Sequence, residues 1–294
     1  MGERNNERGI ALIAVLGFLT VMSLLVLSVT SAVRGSLDAS ARHLARLQAQ
    51  AAVDSGIELA VNQLIDGQQL APPVLDRPQT FEVGGYKVVV SARPESAKID
   101  LNYADVALLM GMFREAGADA DRASALASAI LDWRDGDDLL HVNGAEEKEY
   151  AAAGLKYGPA DKPFESVDEL RFVLGVTPAM FACLRGEVTV LAQRASVDID
   201  HASPLVRRAA GVTADTPQGS ASSFSVISGQ AVGAGEVYEI TARVDDAKRN
   251  IRRGERVAVR ITGNRNDPFW TLAVGLAPRT EASCAASAPA NGAD

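Results

Sequence analysis

The stretch whose reading decides the fold is residues 8–34, RGIALIAVLGFLTVMSLLVLSVTSAVR, in which no charged side chain stands between Arg8 and Arg34. The 25 residues from Gly9 to Val33, at about 1.5 Å of rise each, exceed the roughly 30 Å needed for a helix to cross a bilayer core. Length alone leaves three readings open: a cleaved signal peptide, a signal anchor, and a segment cut ahead of its apolar run. A secretory signal has a short apolar core followed by a small-x-small cleavage site and release. Here the run continues through Leu24, Leu25 and Leu27 without such a break. Beyond it, Leu37, Ala41, Leu44, Ala51, Ile57, Val61 and Leu64 recur near the helical period, so span and stalk read as one long helix. Asp66-Gly67 and then Pro72-Pro73 end it, because proline lacks the amide donor and glycine favours the terminus.

Working outward, the chain has 294 residues, 47% of them hydrophobic, which suffices for more than one packed unit. Its 29 Lys and Arg against 37 Asp and Glu leave a formal charge of -8, which opposes binding to a polyanion, so no nucleic-acid partner is expected. Two cysteines, Cys183 and Cys284, cannot make a disulfide framework or a thiolate zinc site. A single optional disulfide between them stays open. The motifs Gly-x-Ser-x-Gly and Gly-x-x-x-x-Gly-Lys are missing, and His43, His141 and His201 are scattered, so enzyme activity is not expected.

Strands follow the stalk. Thr80-Phe81-Glu82-Val83, the Gly84-Gly85 turn and Tyr86-Lys87-Val88-Val89-Val90 read as a hairpin. Residues 237–244, 256–261 and 270–274 are strand-like, with a basic loop at 248–253. Between these regions, about 99–191 has helical periodicity and reads as an insertion. An internal echo marks its edges: Ile99-Asp100-Leu101-Asn102-Tyr103-Ala104-Asp105 and Val197-Asp198-Ile199-Asp200-His201-Ala202-Ser203. Each is a short extended piece leading into a capped helix, by duplication or by chance recurrence of a good cap. Ser166-Val167-Asp168-Glu169-Leu170-Arg171 starts another capped helix, and Leu174-Gly175-Val176-Thr177-Pro178 turns into the next. That is similar to a helix-hairpin-helix, but Pro178 removes a donor and the surroundings are acidic, which favours a structural role over phosphate binding. Residues 211–235 and the tail after Arg279 carry few signals and read as loops.

The candidate site is the acidic loop. From Asp132 to Glu149 it holds Asp132, Asp135, Asp137, Asp138, Glu146, Glu147 and Glu149, with the carbonyl of Asn143 among them. Clustered carboxylates repel one another, and a hard cation such as calcium relieves that repulsion through oxygen ligands. The spacing is not that of an EF-hand, because Gly136 falls too early. A bare acidic surface loop is the alternative.

Taken in order, Arg8-Gly9 with Ala14, the piece Ile99 to Ala104, Asp132-Trp133-Arg134-Asp135-Gly136-Asp137-Asp138, Asn143-Gly144-Ala145-Glu146 and Ser166 to Val190 resemble the K-type minor pseudopilins of type II secretion systems, the general secretion pathway protein K family. The resemblance covers most of the chain. It implies an α+β fold: a long N-terminal transmembrane and stalk helix packed on an antiparallel sheet, with a large inserted all-helical domain. The expected division is a leader at 1–9, a span at 10–33, a stalk at 34–66, the sheet portion at 67–98 and 212–279, the insertion at 99–211 and a tail at 280–294. Prepilin peptidase would cut after Gly9 and leave Ile10 as the methylated first residue. The fifth mature position is then Ala14, where most pilin-like proteins carry a glutamate and the K type does not. A carboxylate in hydrocarbon is costly unless it pairs with a neighbouring subunit, and a tip subunit has none above it.

The resemblance also implies calcium in the helical domain, with Asp132, Asp135, Asp137, Asp138, Asn143, Glu146 and Glu147 as candidate ligands. It implies an inner-membrane, single-pass protein with its C-terminal part in the periplasm. The implied partners are the I- and J-type minor pseudopilins, the major pseudopilin, prepilin peptidase and the inner-membrane secretion platform. The implied role is to form or cap the pseudopilus tip in protein export. A minor pilin of a type IV pilus or competence system is the related alternative; a signal-anchored periplasmic binding or hydrolytic protein is the distant one.

Overall fold

The computed structural model describes residues 4–66, 73–212, 226–227, 235–277 and 284. The N-terminal prediction becomes a single helix, α1 (Arg4–Asp66), of 63 residues. Its segment Leu12–Ser31 has a mean hydropathy of 2.7, is wholly exposed, and is long and apolar enough to cross a membrane. Ala14 lies on this exposed segment.

The lower part of α1 is buried, along the expected stripe at Ile57, Val61 and Leu64 but not at its upper positions. Ala49, Ala52, Val53, Ile57, Ala60, Val61 and Leu64 pack inward at spacings of three and four. By contrast, Ala41, Leu44 and Ala51 are exposed, and the side chain of Leu37 lies outside the described residues. The face is selected by small residues, which allow the helix axis to approach the sheet closely. A Cβ on Gly56 would stand 2.7 Å from Val88 Cγ1 and 3.1 Å from Val90 Cγ2. Tyr86 Oη also donates to the Ala45 carbonyl at 3.0 Å, fixing where the stalk meets the sheet.

A short helix α2 (Pro73–Asp76) leads to β1 (Gln79–Val83) and β2 (Tyr86–Pro94). Gly84 and Gly85 join these strands at φ of 57° and 79°, the positive values that a tight hairpin turn requires. The other strands of this sheet come late in the chain: β7 (Val237–Asp246), β8 (Ile251–Asn264) and β9 (Asp267–Leu276). The order is β1-β2-β7-β8-β9, antiparallel throughout. Alternation places Val88, Val90, Ile240, Ala242, Val244, Val257, Val259 and Ile261 in one core with α1. The expected basic loop is shorter than 248–253: Ile251, Arg252 and Arg253 pair with Asp246, Asp245 and Val244 and belong to β8.

Between β2 and β7 the chain builds a second body with its own core. After a turn at Glu95–Ala97 come β3 (Ile99–Asp100), α3 (Val106–Glu115), α4 (Ala120–Arg134) and α5 (Glu147–Ala152). A tight 3-10 segment (Val167–Phe172), α6 (Pro178–Leu184), β4 (Val188–Thr189), β5 (Val197–Asp198), α7 (Pro204–Ala209) and β6 (Val226–Ile227) follow. The body is mainly helical and includes two short parallel pairs, β3 with β4 and β5 with β6. Its core gathers Leu109, Met112, Phe113, Ile130, Trp133, Tyr150, Phe164 and Leu184.

The two echoed peptides fold alike. Asp100, in β3, accepts from the Asn102 amide at 2.8 Å, and Asp105 five positions on caps α3 through the Leu108 amide. Asp198, in β5, accepts from the Asp200 amide at 3.0 Å, and Ser203 five positions on caps α7 through the Val206 amide. The same strand, turn and cap recur at both edges of the body, which an independent recurrence of a helix cap alone would not produce.

Candidate functional site

The acidic loop forms one corner of the inserted body, between the end of α4 and the start of α5. Asp132, on the last turn of α4, is fully buried. Its Oδ1 accepts from the His141 amide at 3.1 Å and lies 2.5 Å from His141 Nδ1, while its Oδ2 accepts from the Ala145 amide at 2.5 Å. The loop thus folds around this carboxylate. A Cβ on Gly144 would collide with Asp132 Oδ2, which makes glycine a requirement there. Ser128, one turn earlier in α4, donates to the Val142 carbonyl at 2.9 Å and pins the other side of the loop.

Asp135 caps the C-terminal end of α4, and its Oδ2 is 3.6 Å from His141 Nδ1. Burial pushes its carboxyl above the ordinary value, with Asp137, Asp132 and Asp161 adding to the effect and His141 opposing it. Glu146 stands at the start of α5 and is buried. Its carboxyl is pushed up to about 7, first by burial and then by Asp132, Asp135, Asp161 and Asp138. Asp135 Oδ1 and Glu146 Oε1 are buried and lack a hydrogen-bond partner. Asp137 turns its Oδ1 to the Leu139 amide at 2.9 Å, and Asp138, Asn143 and Glu147 are exposed. Asn143 holds a left-handed turn at φ 63°. Glu149 serves structure, accepting from the Glu146 amide at 3.1 Å to complete a capping box.

Two members of this corner escape a count of nearby carboxylates. Asp161 lies beyond α5 in sequence yet acts on Asp135 and Glu146, and its own carboxyl is raised by burial, Asp138 and Glu147. Asp161 itself holds a left-handed φ of 52°. His141 was separable only by its place inside the loop. Asp132, Asp135 and His141 put ligand atoms within 4.8 Å of one another. The processing positions Gly9 and Ile10 belong to α1, but their side chains lie outside the described residues.

The cysteines left open by the sequence are joined, Cys183 in α6 to Cys284, with Cα atoms 4.8 Å apart. The expected helical hairpin pairs the 3-10 segment with α6. Thr177 caps α6 by accepting from the Met180 amide at 3.2 Å, and Ser166 caps the preceding turn in a box with Glu169.

An exposed apolar helix running unbroken into a stalk that packs across an antiparallel sheet, with a helical body inserted between two of its strands, is the arrangement of the α+β pseudopilin fold. The fold is similar to that in the crystal structure of the GspK-GspI-GspJ complex from the enterotoxigenic Escherichia coli type 2 secretion system. The TM-score is 0.60 at 15% identity, over 80% of this chain and 98% of that one. Residues 90–193 match the family described as Type II secretion system (T2SS), protein K. Relatives include the type II secretion system protein K of Pectobacterium carotovorum subsp. carotovorum, 26% identical over 215 residues, and that of Klebsiella pneumoniae, 26% identical over 208 residues. The chain spans 64% of the length of each of these relatives, and each match covers 64% of this chain.

Proposed function

We propose that this chain is a minor pseudopilin of a type II secretion system that forms or caps the tip of the periplasmic pseudopilus and supports export of folded proteins. The observation that carries the reading is α1, whose wholly exposed span at Leu12–Ser31 continues into the buried Ala49–Leu64 face of a folded body. Such a helix tethers the body to the inner membrane and offers neighbours a surface along its length. The bulky inserted body and the uncharged Ala14 favour a position with neighbours below and none above. Its partners are the I- and J-type minor pseudopilins, the major pseudopilin and the secretion platform, with prepilin peptidase acting between Gly9 and Ile10. The role is mechanical, without a catalytic site.

The mature N-terminus tests this reading. Peptide mass analysis of protein from the secreting cell should find methylated Ile10; retained Met1 would favour a plain signal anchor. Copurification of the I and J types, and altered pseudopilus number when the inserted body is deleted, are the further expected results.

Calcium fits the acidic corner. The unpartnered oxygens of Asp135 and Glu146 need a positive partner, and the burial and carboxylate repulsion that together raise Glu146 to about 7 are what a bound hard cation offsets. Asp135 and Glu146 would hold it, surrounded by Asp132, Asp137, Asp138, Asn143, Glu147 and the newly placed Asp161. The ion would supply charge neutralisation and a cross-tie from α4 to α5. Calcium should raise the melting temperature of the protein relative to chelator, because it binds the folded state preferentially. Asp135→Asn with Glu146→Gln should abolish that rise; identical midpoints for the unaltered protein would remove the idea.

A further inference from the structure

The inserted body meets the sheet through two chain crossings that lie side by side. β2 runs directly into Glu95 and β7 begins at Val237, and Pro94 and Tyr238 are neighbours in register. Adjacent strands are only about 4.8 Å apart, so these crossings alone make a narrow hinge. The polar contacts of the junction gather along the same seam: Arg93 with Glu187 at 2.9 Å, Lys98 with Glu239 at 2.9 Å, and Arg194 with Glu236 at 2.5 Å.

On the β8–β9 side the two bodies stand apart. A cleft of about 350 Å³ separates Arg185 and residues 165–168 of the inserted body from Arg256, Ala258 and residues 272–275 of the sheet. The cysteines do not line the cleft, but their chain neighbours lead to this side. Cys183 is two positions from Arg185, and Cys284 follows Ala277, whose amide donates to the Gly254 carbonyl of β8 at 3.2 Å. Seven chain steps separate Ala277 from Cys284 and reach at most about 25 Å.

Both cysteines are partly buried and pack against the margin of the inserted body's core, which contains Met180, Phe181 and Leu184 of α6. We infer that the Cys183–Cys284 bond is a clasp: a third covalent connection, across the cleft from the hinge, that fixes the orientation of the inserted body on the sheet. Without it, relative motion of two bodies joined at one seam is the ordinary expectation. The inference concerns the isolated chain and does not depend on its place in a pseudopilus.

The test uses the full chain in detergent, oxidised as exported, with spin labels on ketone-bearing residues at the exposed positions Lys87 of β2 and Asp121 of α4. The unaltered protein should titrate with no free thiol and show a narrow label-to-label distance distribution. Cys183→Ser with Cys284→Ser should widen that distribution at least about twofold, as expected of hinged bodies, while the emission of buried Trp133 stays native. An unchanged distribution would overturn the inference, as would two titratable thiols in the unaltered protein. Loss of native Trp133 emission would also overturn it, by making the bond a staple of the inserted body's own fold. A chain ending at Ala277 and carrying Cys183→Ser repeats the measurement without the tail and should give the same widening.

Discussion

In the sheet body, α1 meets β2, β7 and β8 through Ala49, Ala52, Gly56 and Ala60, an interface of small residues and aliphatic strands. The inserted body has a larger, aromatic core around Trp133, Tyr150 and Phe164, yet its loops are organised by the buried carboxylates Asp100, Asp132 and Asp198. The contrast follows from what each body contains. A long helix on a sheet satisfies its own backbone, so shape alone decides how close the layers come. Short helices joined by irregular loops leave many amides without backbone partners, and buried carboxylates supply the acceptors.

The largest break of this comparison is expected at Asp132. Asp132→Ala would strand the amides of His141 and Ala145 inside the protein, and should cost the inserted body about 4 kcal/mol. Urea unfolding followed by Trp133 fluorescence in a Trp270→Phe background would read it; a loss below about 1 kcal/mol would show that the loop does not depend on this carboxylate. Gly56→Val tests the other body, since no space exists for its methyls beside Val88 and Val90. A loss of about 3 kcal/mol is expected, confined to the sheet body. Trp270 emission in a Trp133→Phe background would follow it.

The same contrast explains what could be read from the chain in advance. Turn glycines and alternation gave away the β1–β2 hairpin, and length gave away the exposed span. The stalk stripe holds at Ile57, Val61 and Leu64 but fails higher up, because hydrophobicity ranks Leu44 above Ala49 while the helix approaches the sheet by size. The acidic corner is visible as a local cluster, but Asp161 joins it from beyond α5 through tertiary folding that no spacing rule announces. The interior role of Asp132 was hidden for a related reason: a carboxylate that folds a loop around itself and one that awaits a cation look identical in sequence. The Cys183–Cys284 link, spanning 101 positions, is a tertiary contact with no local signal.

A smaller effect is expected at the seam where the two bodies join. Lys98 is buried between Glu95 at 2.8 Å and Glu239 at 2.9 Å, and Arg256 lies 3.3 Å from Glu239. Burial pushes the Glu239 carboxyl up, but Lys98 and Arg256 outweigh it and hold it below the ordinary value. A depressed carboxyl contributes stability above its unfolded pKa, and that contribution is lost as the pH falls through the folded one. Glu239→Gln should therefore lower stability by about 1.5 kcal/mol near neutrality and flatten part of the decline between about pH 5 and about pH 3. Parallel acid limbs for the two proteins would show that the seam does not rely on this charge.

The smallest effect on folding is expected where α1 leaves the sheet. Leu44 and Leu47 are more than half exposed, one turn apart, just before the buried face begins at Ala49. Neither touches the core, so Leu44→Gln with Leu47→Gln should change stability by no more than about 0.5 kcal/mol. Two exposed leucines on a helix that must line up with other helices are nevertheless an apolar surface awaiting a neighbour. In the proposed pseudopilus, the double variant should fold and insert normally but recover less of the I- and J-type subunits on copurification. Undiminished recovery would move the contact surface off the stalk and onto the folded bodies, leaving these leucines without a partner.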